Sequence, residues 1–137
     1  MTSVLVIDPD PEQRANLEKE LQDSNQFGRV NSCASFSRAT ALINQMQVEV
    51  VLIDRALTKK TKAFKQFHSK NPTVGVVLVS DSGHLPDKAE LESVGAHAQT
   101  SRMSTPIEKM ACIAKALVNR FRPSVASSRL MKRLMKD

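Results

Sequence analysis

The stretch Val48-Glu49-Val50-Val51-Leu52-Ile53-Asp54 decides the fold. It is an unbroken β-type run that ends in an acid. A second such run, Val4-Leu5-Val6-Ile7, ends in Asp8. Two apolar strands that each deliver an aspartate at the carboxyl end place both carboxylates on one edge of a parallel sheet. Open α/β sheets bind their ligands at that edge. A carboxylate pair there suits a divalent metal, a phosphoryl group, or both.

Between and beyond these runs the chain alternates strand and helix. Asp10, Pro11 and Glu12 read as N-cap, first helical position and acidic first turn of a helix to about Gln22, with Leu17 and Leu21 on its inner face. A weak strand is expected over Arg29 to Ala34. A helix after Ser35 turns Ala39, Leu42, Ile43 and Met46 inward. A third helix over about Lys60 to Lys70 carries Phe64 and Phe67 and is broken by Asn71-Pro72. Val74 to Val79 is a strand and Asp81-Ser82-Gly83 a loop. Pro86 to Val94 is a helix capped by Gly95, and Ala98 to Ser101 a poorly apolar strand. From Pro106 onward Ile107, Met110, Ala111, Ala114, Leu117, Val118 and Phe121 make one continuous apolar face. Five such βα units predict an α/β fold, a flavodoxin-like (βα)5 doubly wound parallel sheet of order 2-1-3-4-5. Strands rich in Val, Ile and Leu are expected when helices cover both faces.

That order makes Asp8 and Asp54 neighbours. It also brings Ser80, at the end of Val76-Val77-Leu78-Val79, and Arg102, after the last strand, to the same crevice. Two acids can hold Mg²⁺ through oxygen while it keeps several waters. An aspartate can attack a phosphoryl donor to give an acyl phosphate. A metal, a hydroxyl and a cation would then neutralise the phosphoryl oxygens.

Composition narrows the classes. The 137 residues suffice for one domain with its own core, and 41% hydrophobic with 25% charged residues is ordinary for a water-facing protein. With five Phe and neither Trp nor Tyr, base-stacking platforms are not expected. Cys33 and Cys112 match no metal spacing and read as buried free thiols of a reducing compartment. No apolar run approaches membrane length and no signal peptide is apparent, so the expected location is cytoplasmic. His68, His84 and His97 share no ligand spacing, His68 reads as solvated, and no Gly-rich phosphate loop is present. An enzyme is therefore not expected. The net charge of +6 is concentrated in the tail. From Arg120 onward six basic residues face one acid, Asp137, which leaves the body at about +1.

The strand ending in Asp8, the segment Val51-Leu52-Ile53-Asp54, Ser80 and the Gly95-Ala96 pair come in an order and spacing that resemble the receiver domain of two-component response regulators (CheY-like). The resemblance spans about residues 3 to 121. It implies that Asp54 is the phosphoacceptor, that Asp8, Asp54 and the backbone carbonyl of Ala56 hold Mg²⁺ with Asp10 as a further candidate, and that Ser80 and Arg102 contact the phosphoryl group. It also implies a histidine kinase or phosphotransfer protein as partner, and a homodimer through the face of the fourth helix, fifth strand and fifth helix, which a reorientation near Ser80 would repack. Three positions depart from the family pattern. The second acid of its acid pair falls on Pro9, its lysine on Arg102 and its aromatic switch residue on Gln99. Two readings follow. One is a receiver phosphorylated on Asp54. The other is a pseudo-receiver that works as a phosphorylation-independent interaction or dimerisation module.

Residues 1–121 are thus expected to be the receiver, and 122–137 a basic amphipathic helix or a linker. Leu130, Met131, Leu134 and Met135 form an apolar stripe beside Arg129, Lys132, Arg133 and Lys136. The run Arg122-Pro123-Ser124-Val125-Ala126-Ser127-Ser128-Arg129-Leu130 resembles the linker that precedes a helix-turn-helix domain in NarL/LuxR-type regulators. Nucleic acid would then be reached through such an output domain. The tail alone would bind it at most weakly.

Overall fold

The computed structural model describes residues 2–59, 61–80, 96–102 and 105–121. Five strands, β1 (Ser3–Ile7), β2 (Arg29–Cys33), β3 (Val50–Asp54), β4 (Gly75–Ser80) and β5 (Ala98–Ser101), form one sheet of order β2-β1-β3-β4-β5. Every neighbouring pair is parallel. The expected topology is therefore the observed one. Four α-helices are described, namely α1 (Pro11–Asp23), α2 (Phe36–Met46), α3 (Thr61–Lys70) and α4 (Ile107–Phe121), with a short 3-10 turn at Arg55–Lys59. The helix expected over Pro86 to Val94 and the tail from residue 122 lie outside the described residues.

Alternation along the strands divides the core into two layers. Val4, Val6, Val50, Leu52, Val77 and Val79 point to one face, where Leu17 and Leu21 of α1 and Met110, Ala111, Ala114, Leu117 and Val118 of α4 cover them. Leu5, Ile7, Val51, Ile53, Val76 and Leu78 point to the other, under Ala39 and Ile43 of α2 and Phe64 and Phe67 of α3. Side chains of successive strand residues leave on opposite faces, so a strand buried on both sides must be apolar throughout. β1, β3 and β4 are buried at every residue. The edge strand β5 is buried only at its carboxyl half, which explains its thin apolar signal.

Local chemistry sets the helix ends. Asp10 caps α1, its Oδ1 accepting from the amides of Glu12 at 2.9 Å and Gln13 at 3.2 Å, with Pro11 at the first helical position. Ser35 caps α2 through the amide of Arg38, and Gln47 closes it in the left-handed region at φ 53°. Asn71 ends α3 by donating its side-chain amide to the carbonyl of Phe67 at 2.9 Å. At the amino end of β4, a Cβ built on Gly75 would stand 3.2 Å from Cβ of Leu117, so α4 lies unusually close to the sheet there.

The two thiols differ, against the expectation that both are buried. Cys33 is buried, whereas Cys112 is exposed, one residue off the inward stripe of α4. Burial pushes the Cys33 thiol above its ordinary range. Native protein is expected to take one alkyl group from iodoacetamide near pH 8, on Cys112, and a second only after denaturation, as intact mass would show. Because the folded state keeps the Cys33 proton at a pH where the unfolded chain loses it, this group's contribution to stability is complete below the ordinary thiol range. It declines as pH rises through the raised value.

Candidate functional site

The carboxyl ends of β1, β3, β4 and β5 converge on one small crevice. Asp8 follows β1, and its backbone amide donates to the carbonyl of Cys33 at 3.0 Å, which ties it to the end of β2. Pro9 has no amide hydrogen, so the next donor is Asp10, whose amide binds Asp8 Oδ1 at 2.9 Å. Arg14 on α1 donates to the Asp8 carbonyl at 3.0 Å. Asp54 is the last residue of β3 and lies opposite Val79 in β4. Ser80 ends β4 opposite Ser101, and its hydroxyl donates to the carbonyl of Thr100 at 3.4 Å.

Arg102 joins these ends. Its backbone amide donates to the carbonyl of Ser80 at 2.9 Å, which continues the β4–β5 ladder by one rung. The side chain then turns back across the crevice. Nη2 pairs with Asp8 Oδ2, and Nη1 stands 3.6 Å from Asp54 Oδ1 and 3.5 Å from the carbonyl of Val79. One planar fork thus spans two carboxylates that come from different strands. Asp8 is 0% exposed and Asp54 6%, while the Arg102 side chain keeps 17% of its surface. Two carboxylates at close range in a poorly solvated pocket need a counter-charge, and the guanidinium supplies one that cannot lose its proton. The crevice therefore joins two carboxylates, a fixed cation and a hydroxyl at one sheet edge.

The four residues expected to meet do so at this edge. Of the other candidates, Ala56 lies exposed in the 3-10 turn directly after Asp54. Asp10 is engaged as the cap of α1. Gln99 is half-buried on β5, and its Oε1 is buried without a hydrogen-bond partner.

The donors present differ from the magnesium set that the resemblance implies. Position 9 offers no side-chain ligand atom, and each Asp8 oxygen already accepts, one from the Asp10 amide and one from Arg102. Asp54 faces the same guanidinium. Among the described residues no group of three or more His, Cys, Asp or Glu could hold a metal ion. Mg²⁺ needs near-octahedral oxygen coordination, and this crevice does not offer it with Arg102 in place.

Sequence reasoning missed Arg14 and Thr105, whose Oγ1 accepts the Ser101 amide at 3.0 Å. A polar residue one turn into α1, where the helix passes the end of β1, was the available signal for Arg14. The histidines also differ from expectation. His68 is half-buried, not solvated, with its ring 6.3 Å from Phe64 and 5.7 Å from His97. His97 Nδ1 accepts the amide of Val76 at 2.9 Å, which leaves the proton of the neutral ring on Nε2. This pair lies at the amino edge of the sheet, away from the acidic crevice.

The model of the response regulator receiver domain family matches residues 4–110. Solved structures share the fold. A response regulator receiver domain protein of Clostridium thermocellum is 17% identical with a TM-score of 0.69, over 88% of this chain and 96% of that chain. The receiver domain of the Francisella response regulator 1452 is 19% identical with a TM-score of 0.68, over 89% of this chain and all of that one (100%). NtrX of Brucella abortus, in complex with ADP, is 19% identical with a TM-score of 0.76, over 98% of this chain but 30% of that longer protein. No curated protein matches the sequence.

Proposed function

The chain belongs to the response regulator receiver domain family, and from that premise we propose that it accepts a phosphoryl group on Asp54 in two-component signalling. The observation that carries this reading is the placement of Asp54. It is a nearly buried carboxylate at the end of the central strand β3, with a permanent cation 3.6 Å away. A carboxylate is a weak nucleophile, and a fixed positive charge beside it lowers the cost of bringing up an anionic donor.

In this proposal a histidine kinase or phosphotransfer protein presents a phosphoimidazole. An Asp54 oxygen attacks phosphorus, the P–N bond breaks, and the imidazole leaves and takes up a proton. Arg102 and Ser80 face the new phosphoryl oxygens. The guanidinium is then drawn from Asp8 toward a group of greater charge, and Thr105, just ahead of α4 and bonded to the Ser101 amide, responds to that shift. A homodimer through the α4 side is the proposed readout. Nucleic acid would be reached only through an output domain. Among the described residues no helix is long and apolar enough to cross a membrane, and the location proposed is cytoplasmic.

The second reading, a phosphorylation-independent interaction module, has one observation in its favour. The Arg102 guanidinium lies against both carboxylates and offsets one of their two charges. Intact mass after incubation with acetyl phosphate or phosphoramidate separates the two. One added phosphoryl group, lost in Asp54→Ala and kept in Asp10→Ala, is the expected result. A mass that never changes with any donor would leave the interaction module as the function.

A further inference from the structure

We propose that Arg102 stands in the place of the divalent cation, so that this pocket is partly neutralised from within and does not take up Mg²⁺. The inference rests on the Asp54 reading only where it concerns phosphoryl transfer, and its metal arm stands alone. Three observations carry it. First, the guanidinium lies between the acids, bonded to Asp8 Oδ2 and 3.6 Å from Asp54 Oδ1. Second, it is held there by backbone. Its own amide is fixed to Ser80, Nη1 reaches the carbonyl of Val79, and the other Asp8 oxygen is closed by the Asp10 amide. Third, position 9, between the two acids of the first loop, is a proline and supplies no oxygen side chain. A divalent ion entering this space would meet a cation that cannot deprotonate, and would have to break its bond to Asp8. The pocket would also lose the fork geometry that lets one residue serve two carboxylates.

The chemical consequence is that acyl phosphate formation on Asp54 proceeds without metal. With acetyl phosphate as donor, an Asp54 oxygen bonds phosphorus, the bond to the acetyl oxygen breaks, and acetate leaves with the electron pair. The charge that gathers on the phosphoryl oxygens meets the Arg102 guanidinium, already in position.

The test is a magnesium titration of the full chain by calorimetry, beside thermal melts followed by circular dichroism at matched ionic strength. A site with a Kd of about 1 mM would raise the melting temperature by about 5 °C at about 10 mM Mg²⁺. The expected shift for the natural chain is under about 1 °C, with no saturable heat. Arg102→Ala, and Arg102→Gln should the first fail to fold, frees the acid pair and should gain a shift of about 5 °C. A shift of that size in the natural chain, abolished by Asp8→Asn, would overturn the proposal. So would a folded Arg102→Gln protein that ignores Mg²⁺. The phosphoryl mass gain should be equal with Mg²⁺ and with EDTA. Gain with Mg²⁺ only would overturn this inference and leave Asp54 as acceptor. No gain in either would end the acceptor reading and leave the titration to decide the metal question.

Discussion

Replacing Arg102 by Met is expected to cost about 3–5 kcal/mol, and to lower the melting temperature of a chain of 137 residues by about 10–17 °C. The substitution keeps most of the side-chain volume and removes only the charge and its donors. What remains is a pair of carboxylates, 0% and 6% exposed, whose shared counter-ion is gone. Breaking a buried ion pair from one side costs far more than the pair itself contributes, because the remaining charge cannot recover its water. Arg102→Lys should recover part of the loss, since an ammonium keeps the charge but cannot span two acids. Adding Asp8→Asn to Arg102→Met should also recover part, by removing one of the two stranded charges. Urea denaturation of the four proteins reads all of this. A loss below about 1 kcal/mol for Arg102→Met would mean that water already screens the crevice as it does a surface pair.

Phe64→Ala is the second large effect expected, about 3–5 kcal/mol. Phe64 is the largest of the fully buried side chains and sits in the layer under α2 and α3. Its ring meets Phe36 edge to face, with centroids 5.9 Å apart, and Phe36 stacks in turn on Phe67 at 5.0 Å. Truncation removes the fully buried ring of that group, and the strands behind it, fixed by their ladder, cannot collapse into the space. Leu42→Ala, at a partly buried position of the same layer, should cost less than half as much. Equal losses at the two positions would show that the aromatic group is not the centre of this layer.

Sequence reading reached the fold through β1, β3 and β4, since strands covered on both faces must be apolar at every residue. It reached the convergence of residues in the candidate site because a strand-end residue has a place fixed by topology alone, which holds for Asp8, Asp54 and Ser80. Arg102 was found by its place after the last strand and by the family's lysine position, not by any pattern in Ala98-Gln99-Thr100-Ser101, which is an edge strand with half its residues only partly covered. That its fork bridges two acids depends on side-chain rotamers and on the β4–β5 register, neither of which is written locally. The His68–His97 contact joins the end of α3 to the start of β5 and has no spacing by which to be read. Cys112 was misplaced because an apolar residue within an amphipathic helix was assigned to the stripe by composition, when its angular position puts it outside.

The near approach of α4 to the sheet at Gly75 constrains the choice of residue at that position. A methyl group at position 75 would fall within 3.2 Å of the Leu117 Cβ, so a neighbour would have to give by a few tenths of an ångström. That atom is carried by every residue but glycine, so shortening the side chain at 117 would not make room. The absence of a side chain at 75 therefore sets how near the helix can lie, and any larger residue there asks the helix or the strand to give way.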